Sequence, residues 1–348
     1  MSLDDLLGRI VTPDPRLALA ARARLARLTK PPGSLGRLEE LAARVVVITG
    51  QEMPRVEAPV IFTLAGDHGV VAEGVSAFPQ AVTAQMVENF VRGGAAVNVL
   101  ARQVGARVVV ADLGVAGSLL AYPGVVSRKI AAGTENLARG PAMTRDQTLA
   151  AIAVGAALVD EAGPDCVGTG EMGIGNTTPA SALTAALTGA DADAVTGRGT
   201  GLDDAARARK VEVVRRALAA NRPDPTDPLG VLAAVGGLEI AGLVGVVLAG
   251  AARRVPVVLD GFIATSAALV AVRLHPPAGE YLIASHRSVE PGHAHLLQAL
   301  GLAPYLDLGM RLGEGTGAAL GIGLIKAALA CYAEMATFKE AGVSERLA

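Results

Sequence analysis

The sequence of 348 residues is poor in aromatic side chains, with no tryptophan, five phenylalanines and four tyrosines. Single-stranded nucleic acids are commonly bound by stacking bases on aromatic rings, so this scarcity argues against a binder of that type. The balance of 31 Lys and Arg against 33 Asp and Glu leaves no basic footprint for a polyanion. The composition therefore predicts no nucleic-acid partner.

Cysteine is also scarce. Cys166 and Cys331 supply neither a disulfide framework nor zinc-ligand spacing, which favours a reducing, cytoplasmic setting. The N-terminus is acidic and lacks the apolar segment of a signal peptide. The longest stretch without charge, residues 172–190, contains Asn, Pro, Ser and several Thr, whereas a spanning helix needs about 20 mainly apolar residues. We therefore expect a soluble protein with buried helices and no membrane partner.

Glycine is abundant, with 42 residues, and hydrophobic residues make up 51% of the chain. Short apolar runs, each closed by Gly or Asp, alternate with helical patterns; continuous apolar runs are typical of buried parallel strands. The predicted strands are residues 59–64, 107–111, 166–168, 255–259, 281–284 and 304–306, and the predicted helices between them are 144–161, with a Thr144–Gln147 capping box, 202–220, 238–252 and 263–273. This alternation predicts an α/β fold with a parallel sheet and ligands at the carboxyl ends of its strands.

The two ends of the chain show helical patterns without strands. These patterns cover residues 17–28, 35–49 and about 316–341. We expect the termini to form a small helical domain together, from residues 1–50 and 316–348, beside a large α/β domain of residues 51–315.

A glycine-rich segment, residues 168–179, follows a predicted strand and opens a helix, with Thr178 at the N-cap and Pro179 at the first helical position. Free backbone N–H groups and the helix dipole favour an anion there, and the glycines let a phosphate approach the backbone. The alternative is a turn that packs the helix against the strand. The segment is not a P-loop, because Gly-Lys-Ser/Thr is absent.

Two further glycine-rich loops carry charged groups. Residues 197–201 precede a helix whose Lys210 could add a positive charge to a phosphate site, although the residues alone favour a solvated lysine. In residues 311–317, Glu314 stands between two glycines before an apolar helix. Desolvation would raise its pKa toward neutrality, as a general base requires. The alternative is a carboxylate stabilised by the helix dipole.

Four other features of the sequence indicate a functional site less strongly. Asp67 and His68 suggest a metal ligand pair or catalytic dyad, but no third ligand has convincing spacing. The side chains of Phe78, Gln85 and Met86 suit a flat aromatic ligand, and a core position is the alternative for the aromatic and the methionine. Residues 285–288 lie at a strand end, where they can contact polar groups of a ligand. The remaining feature is a His-x-His pair, His293 and His295, which we place at the surface.

Together, these motifs resemble the nicotinate-nucleotide–dimethylbenzimidazole phosphoribosyltransferase family of cobalamin lower-ligand synthesis. The matching segments, in order along nearly the whole chain, are Lys30–Arg37 (KPPGSLGR), Asp67–Gly69 (DHG), Gly170–Pro179 (GEMGIGNTTP), Val258–Phe262 (VLDGF), Ser285–His286 (SH) and Met310–Gly315 (MRLGEG). The combination is far more specific than any single glycine loop.

The resemblance implies a Rossmann-like, six-stranded parallel sheet flanked by helices, the small domain made from both termini, and a homodimer whose neighbouring small domain covers the cavity. It implies that Glu314 is the catalytic base. The substrate-binding residues that we infer are Glu171, Gly173, Gly175, Asn176, Thr177, Thr178, Lys210, Asp260, Ser285, Phe78, Gln85 and Met86. The implied substrates are nicotinate mononucleotide and a benzimidazole-type base.

The charge of the donor determines which groups the reaction needs. The pyridinium nitrogen of the donor is already positive, so its bond to ribose C1′ breaks without a proton, and one carboxylate suffices where most glycosidases need two. No metal or cofactor is required. The alternatives are transfer to another base, such as adenine or a phenol, and a non-catalytic nucleotide-binding protein of the same fold. A dinucleotide-dependent oxidoreductase is supported only by the fold.

Overall fold

In the computed structural model, which describes residues 2–117, 119 and 123–344, the core is a six-stranded, fully parallel sheet with the order β3-β2-β1-β4-β5-β6. The strands are β1 (Pro59–Gly66), β2 (Arg107–Gly114), β3 (Val126–Ser127), β4 (Cys166–Met172), β5 (Val257–Leu259) and β6 (Leu282–Ala284). Every residue of β1, β5 and β6 is buried, which explains their continuous apolar sequences. The predicted α/β fold with a parallel sheet flanked by helices is confirmed.

The structure confirms, to within about two residues at each end, the helices predicted at residues 17–28, 35–49, 144–161, 202–220, 238–252 and 263–273. They are α1 (Leu3–Gly8), α2 (Leu17–Arg27), α3 (Arg37–Thr49), α4 (Val82–Val91), α5 (Ala96–Val104), α6 (Arg145–Ala162), α7 (Thr177–Thr188), α8 (Ala192–Val195), α9 (Asp204–Asn221), α10 (Pro228–Val235), α11 (Leu238–Ala252), α12 (Phe262–Leu274), α13 (Pro291–Leu300), α14 (Thr316–Glu334) and α15 (Phe338–Ala341). The Thr144–Gln147 capping box before α6 is present.

Glycines in helices let the layers pack closely in a core with few aromatics. A Cβ on Gly155 of α6 would overlap the carbonyl oxygen of Gly242 in α11. The reverse also holds, since a Cβ on Gly245 of α11 would overlap the carbonyl oxygen of Ile152. The backbones of helices α6 and α11 are therefore in direct contact. Helix α11 also packs on the sheet.

Helix α14 covers the other face of the sheet. On β4, Gly168 faces Ala318 and Ile322 of α14, whereas the neighbouring Val167 faces Gly250 of α11. Successive residues of a strand point to opposite faces, so α11 and α14 sandwich the central strands. On length and composition alone α14 could cross a membrane, yet 56% of its apolar 18-residue window is buried within the fold.

Two local predictions are wrong, and one strand was not predicted. Residues 304–306 form no strand of the sheet; they run beside the chain that leaves β6, with a single parallel bridge between His286 and Leu306. The sixth strand is instead the two-residue β3, which is too short to leave an apolar run. The predicted C-terminal helix is divided into α14 and α15, because Met335 takes an extended conformation with ψ 132°.

Helices from both ends of the chain pack together. Helix α3 contacts α2 and α14, and an antiparallel bridge joins Leu28 to Thr337. Helix α14 also packs on β4 and β5. The division into a small and a large domain stays a prediction.

Candidate active site

A cavity of about 300 Å³ opens at the carboxyl ends of β4, β5 and β6. Its walls come from six segments: residues 75–86 with the start of α4, 171–177 between β4 and α7, 199–200, 261–263 after β5, 286–290 after β6, and 311–314 before α14. The predicted residues among them are Phe78, Met86, Glu171, Gly173, Gly175, Asn176, Thr177 and Glu314. The three glycine-rich loops of the sequence therefore meet at one place.

Glu314 is held by an unusual backbone. Gly313, Glu314 and Gly315 have φ of 84°, 66° and 102°, and Glu314 is one of few non-glycine residues in this left-handed region. Its carbonyl oxygen accepts a hydrogen bond of 2.9 Å from the Thr63 hydroxyl of β1. Gly170 of β4 lies so close to that carbonyl that a Cβ there would overlap it. The glycines therefore allow the loop to press against two strands and place the Glu314 side chain in the cavity.

The Glu314 carboxyl group is only 6% exposed, and its Oε2 atom has no hydrogen-bond partner among the described residues. Burial raises its pKa to about 7, assisted by the negative charge of Asp260, while a hydrogen bond from the Val97 backbone acts in the opposite direction. A carboxyl group with this pKa can accept a proton near neutral pH.

A second buried carboxyl group, Glu171, lies at the end of β4. Burial raises its pKa to about 8, and the charges of Asp260, Glu239 and Glu314 add to the effect. The Asn176 amide donates a hydrogen bond to Glu171 Oε2, which lowers the pKa. At neutral pH Glu171 is therefore mostly protonated, and it can donate a hydrogen bond into the cavity.

Asp260 forms hydrogen bonds with the loop that carries Glu314. It is 1% exposed, and its two oxygens accept hydrogen bonds from the Gly315 N–H at 2.9 Å and the Gly317 N–H at 2.7 Å. Burial raises its pKa, whereas the neighbouring His286 and these backbone donors lower it. Asp260 thus stabilises the N-terminus of α14 and the loop that carries Glu314.

The segment between β4 and α7 combines close backbone contacts with a helix N-terminus. A Cβ on Gly173 would overlap the carbonyl oxygen of Gly66, and Gly175 has φ 89°. The Ile174 N–H donates to the Thr83 hydroxyl of α4 at 3.1 Å. Residues 173–177 are thereby fixed with the positive end of α7 toward the cavity, which suits a phosphate group.

Lys210 lies directly behind this segment. Its side chain reaches from α9 to the Thr177 hydroxyl, with Nζ 2.5 Å from Oγ1, and it is 1% exposed. Burial lowers its pKa to about 8, and the Glu290 carboxylate opposes that shift. The solvated lysine that the residues alone favoured is wrong, because α9 packs against α7.

The remaining wall is apolar. Val75, Val82 and Met86 line it, with Phe78 at 47% exposure near the opening. A flat, apolar ring would bury surface against these side chains.

Comparison with known proteins decides the family. A family described as "Phosphoribosyltransferase" matches residues 10–343. Proteins named nicotinate-nucleotide–dimethylbenzimidazole phosphoribosyltransferase from Geobacter sulfurreducens and Chloroflexus aggregans are each 57% identical, over 346 and 347 residues, which covers 99% of this chain and 98% of each relative. The chain belongs to the nicotinate-nucleotide–dimethylbenzimidazole phosphoribosyltransferase family.

A crystal structure of a nicotinate-nucleotide–dimethylbenzimidazole phosphoribosyltransferase from Thermus thermophilus agrees with this fold. Its TM-score is 0.90 at 48% identity, and the match covers 96% of this chain and 100% of that one. The family resemblance that the motifs carried is confirmed.

Several predicted site residues of this phosphoribosyltransferase do not line the cavity. Lys210, Asp260 and Ser285 lie one layer behind it, and the Ser285 hydroxyl donates to the Leu259 carbonyl oxygen at 2.6 Å. Thr178 is buried within α7, whose N-cap is Asn176 and not the predicted Thr178. Gln85 is exposed on α4 and outside the cavity lining. The substrate-binding roles of these residues stay predictions.

Two charged lining residues had no assigned role in the sequence analysis. Glu290 is 6% exposed, and its Oε1 accepts a hydrogen bond from the Gly199 N–H at 2.9 Å. Arg311 donates to the Gly199 carbonyl oxygen at 3.1 Å. Glu290 follows no recognisable motif, while Arg311 is part of the motif that contains Glu314.

His68 and His293 also have surroundings that differ from those predicted from the sequence. His68 pairs with Glu239, with His68 Nε2 2.8 Å from Glu239 Oε1 and both side chains fully buried, so Asp67 is not its partner. The described residues contain no group of three His, Cys, Asp or Glu that could hold a metal ion. His293, predicted at the surface, is 1% exposed and bonded to Thr265 and the Ser288 N–H.

Proposed function

We propose that the protein transfers the phosphoribosyl group of nicotinate mononucleotide to 5,6-dimethylbenzimidazole, giving α-ribazole 5′-phosphate and nicotinate for the nucleotide loop of cobalamin. The proposal agrees with the family to which the chain belongs. The observation that carries it is the Glu314 carboxyl group, with a pKa of about 7, in the same cavity as the N-terminus of α7.

The donor phosphate binds at residues 173–177, where the α7 dipole and the Lys210 ammonium group favour an anion. Anchoring the phosphate orients C1′ without touching the reacting bond. The acceptor base lies against Phe78, Val82 and Met86.

In the reaction, the C1′–N bond breaks and its electron pair passes to the pyridinium nitrogen, so nicotinate leaves as a neutral ring with its carboxylate. One imidazole nitrogen of the acceptor attacks C1′, and Glu314 takes the proton from the other nitrogen. The transition state resembles an oxocarbenium ion, which nearby negative charge stabilises. Attack on the face opposite the leaving group inverts the anomer and gives the α-riboside.

A cytoplasmic homodimer is part of the proposal. Two of the apolar side chains that line the cavity are exposed, Phe78 at 47% and Leu312 at 57%. A neighbouring subunit that covers the opening would bury them and exclude water from the reaction. Light scattering of the purified protein measures the mass of the assembly directly.

Mass spectrometry of products from nicotinate mononucleotide with a panel of benzimidazoles, purines and phenols tests the assignment. We expect ribazole phosphate and nicotinate in equal amounts. Preferred transfer to adenine or a phenol would establish the alternative acceptor class, and binding of the donor without product from any acceptor would indicate a non-catalytic protein.

A further inference from the structure

Acidic residues outnumber basic ones in the lining of the cavity. Three carboxyl groups, from Glu171, Glu290 and Glu314, face it. Arg311 is the one Lys or Arg among the described residues that line it. Lys210 is separated from the cavity by the Thr177 hydroxyl.

Arg311 retains unused hydrogen-bonding capacity. Its Nη1 donates to the Gly199 carbonyl oxygen at 3.1 Å, and no carboxylate forms an ion pair with it in the described part of the chain. A guanidinium group has five N–H donors in a planar fork that matches a carboxylate. Arg311 is therefore a free cation with donors to spare at the wall of the cavity.

The proposed donor carries two separate anions, a phosphate on C5′ and a carboxylate on the pyridine ring. The phosphate is matched by the α7 N-terminus and Lys210, which leaves the ring carboxylate without a partner. On the basis of the proposed function, we propose that Arg311 binds the nicotinate carboxylate and selects a nicotinate leaving group over nicotinamide.

This contact acts on the reaction rate as well as on binding. In the donor, the ring carboxylate is partly compensated by the positive pyridinium nitrogen. When the C1′–N bond breaks, its electron pair neutralises that nitrogen and the ring becomes a net anion. A fixed cation beside the carboxylate therefore interacts more strongly with the transition state than with the bound donor, which raises kcat. A nicotinamide ring has no carboxylate and gains nothing from it.

Two donors separate the carboxylate contact from every other contact. Nicotinate and nicotinamide mononucleotide share the ribose, the phosphate and the pyridinium nitrogen and differ in the ring substituent. We expect Arg311→Gln to lower kcat/KM with the nicotinate donor by about tenfold to a hundredfold, and with the nicotinamide donor by less than about threefold. Arg311→Lys retains the charge without the fork, and we expect it to keep part of the preference.

The control is Arg55→Gln, which removes an exposed arginine outside the cavity lining; both donors should react as with the wild-type protein. An equal loss with both donors would assign Arg311 to the shared phosphoribosyl group and overturn the proposal, as would no loss with either. Calorimetric titration with free nicotinate and nicotinamide tests the contact without turnover: the wild-type protein should prefer nicotinate, and Arg311→Gln should not. If the wild-type protein shows this preference but forms no ribazole phosphate, the proposed function fails and the carboxylate contact stands.

Discussion

Replacing Glu314 by Gln removes the proposed base while keeping its size and its place in the left-handed loop. A positioned general base contributes about 10² to 10⁴ in rate, so we expect kcat to fall by about a hundredfold or more. Donor binding should change little, since residues 173–177 and Lys210 are untouched. The predicted signature is a loss in kcat with a nearly constant KM for nicotinate mononucleotide.

The reaction rate should also depend on pH through the ionisation of Glu314. Glu314 must be ionised to accept a proton, and burial together with the Asp260 charge sets its pKa at about 7. The ionised fraction is about half at pH 7 and falls about tenfold for each further pH unit below. In the wild-type protein, kcat/KM should therefore rise through pH 7 and level off above it. The Gln variant has no group at this position to titrate, so its acid limb should disappear.

Initial rates of ribazole phosphate formation, measured by liquid chromatography from about pH 5 to about pH 9, test both parts. The matched control is Glu57→Gln, which changes an exposed side chain far from the cavity and should retain the full profile. Wild-type turnover in Glu314→Gln would refute the reasoning. So would an acid limb that persists in the variant, because another group would then be the base.

Three further predictions concern other buried side chains. Lys210→Met should raise the KM for nicotinate mononucleotide by about tenfold to a hundredfold with the KM for the acceptor unchanged, and the difference from wild type should shrink above pH 8, where the lysine loses its proton. Burial raises the pKa of Glu171 from 4.5 to about 8, so the stability of the wild-type protein decreases as pH rises from about 4.5 toward 8, where the buried group loses its proton. Glu171→Gln should therefore raise Tm strongly at high pH and little near pH 4, as calorimetry can show. His293→Leu leaves the Ser288 N–H and the Thr265 hydroxyl without their partner and should lower the free energy of unfolding in urea by about 2–4 kcal/mol. His295→Leu on the same helix should change it by less than about 1 kcal/mol, and equal effects of the two would contradict the assigned hydrogen bonds.

Much of the fold is visible in the sequence because buried parallel strands leave continuous apolar runs. Five of the six strands were predicted for that reason. Strand β3 has two residues and therefore no run to detect. Residues 304–306 have the same composition as a strand, but their partner is the segment that leaves β6, beyond the edge of the sheet. Composition cannot distinguish those two surroundings.

Some residues of the predicted site can likewise be recognised from the sequence, and others cannot. Glu314 and the β4–α7 segment are recognisable because backbones in close contact require glycines, and glycines are visible in a sequence. Lys210 is not, because its burial depends on how α9 packs against α7. Glu290 and His293 likewise gain their environment from chain segments distant in sequence. The sequence thus reveals where the backbone must be tight, and tertiary packing determines which charges become buried there.

The position of helix α4 affects how the acceptor preference of this enzyme can evolve. Its Thr83 hydroxyl accepts a hydrogen bond from the Ile174 N–H, while Val82 and Met86 line the part of the cavity proposed for the acceptor. Substitution of Val82 or Met86 alters the shape of the cavity wall that an incoming base meets. It leaves in place the Thr83 hydrogen bond that fixes residues 173–177. Mutational drift on this helix can therefore change the range of acceptors while the reaction centre, built on other elements, stays as it is.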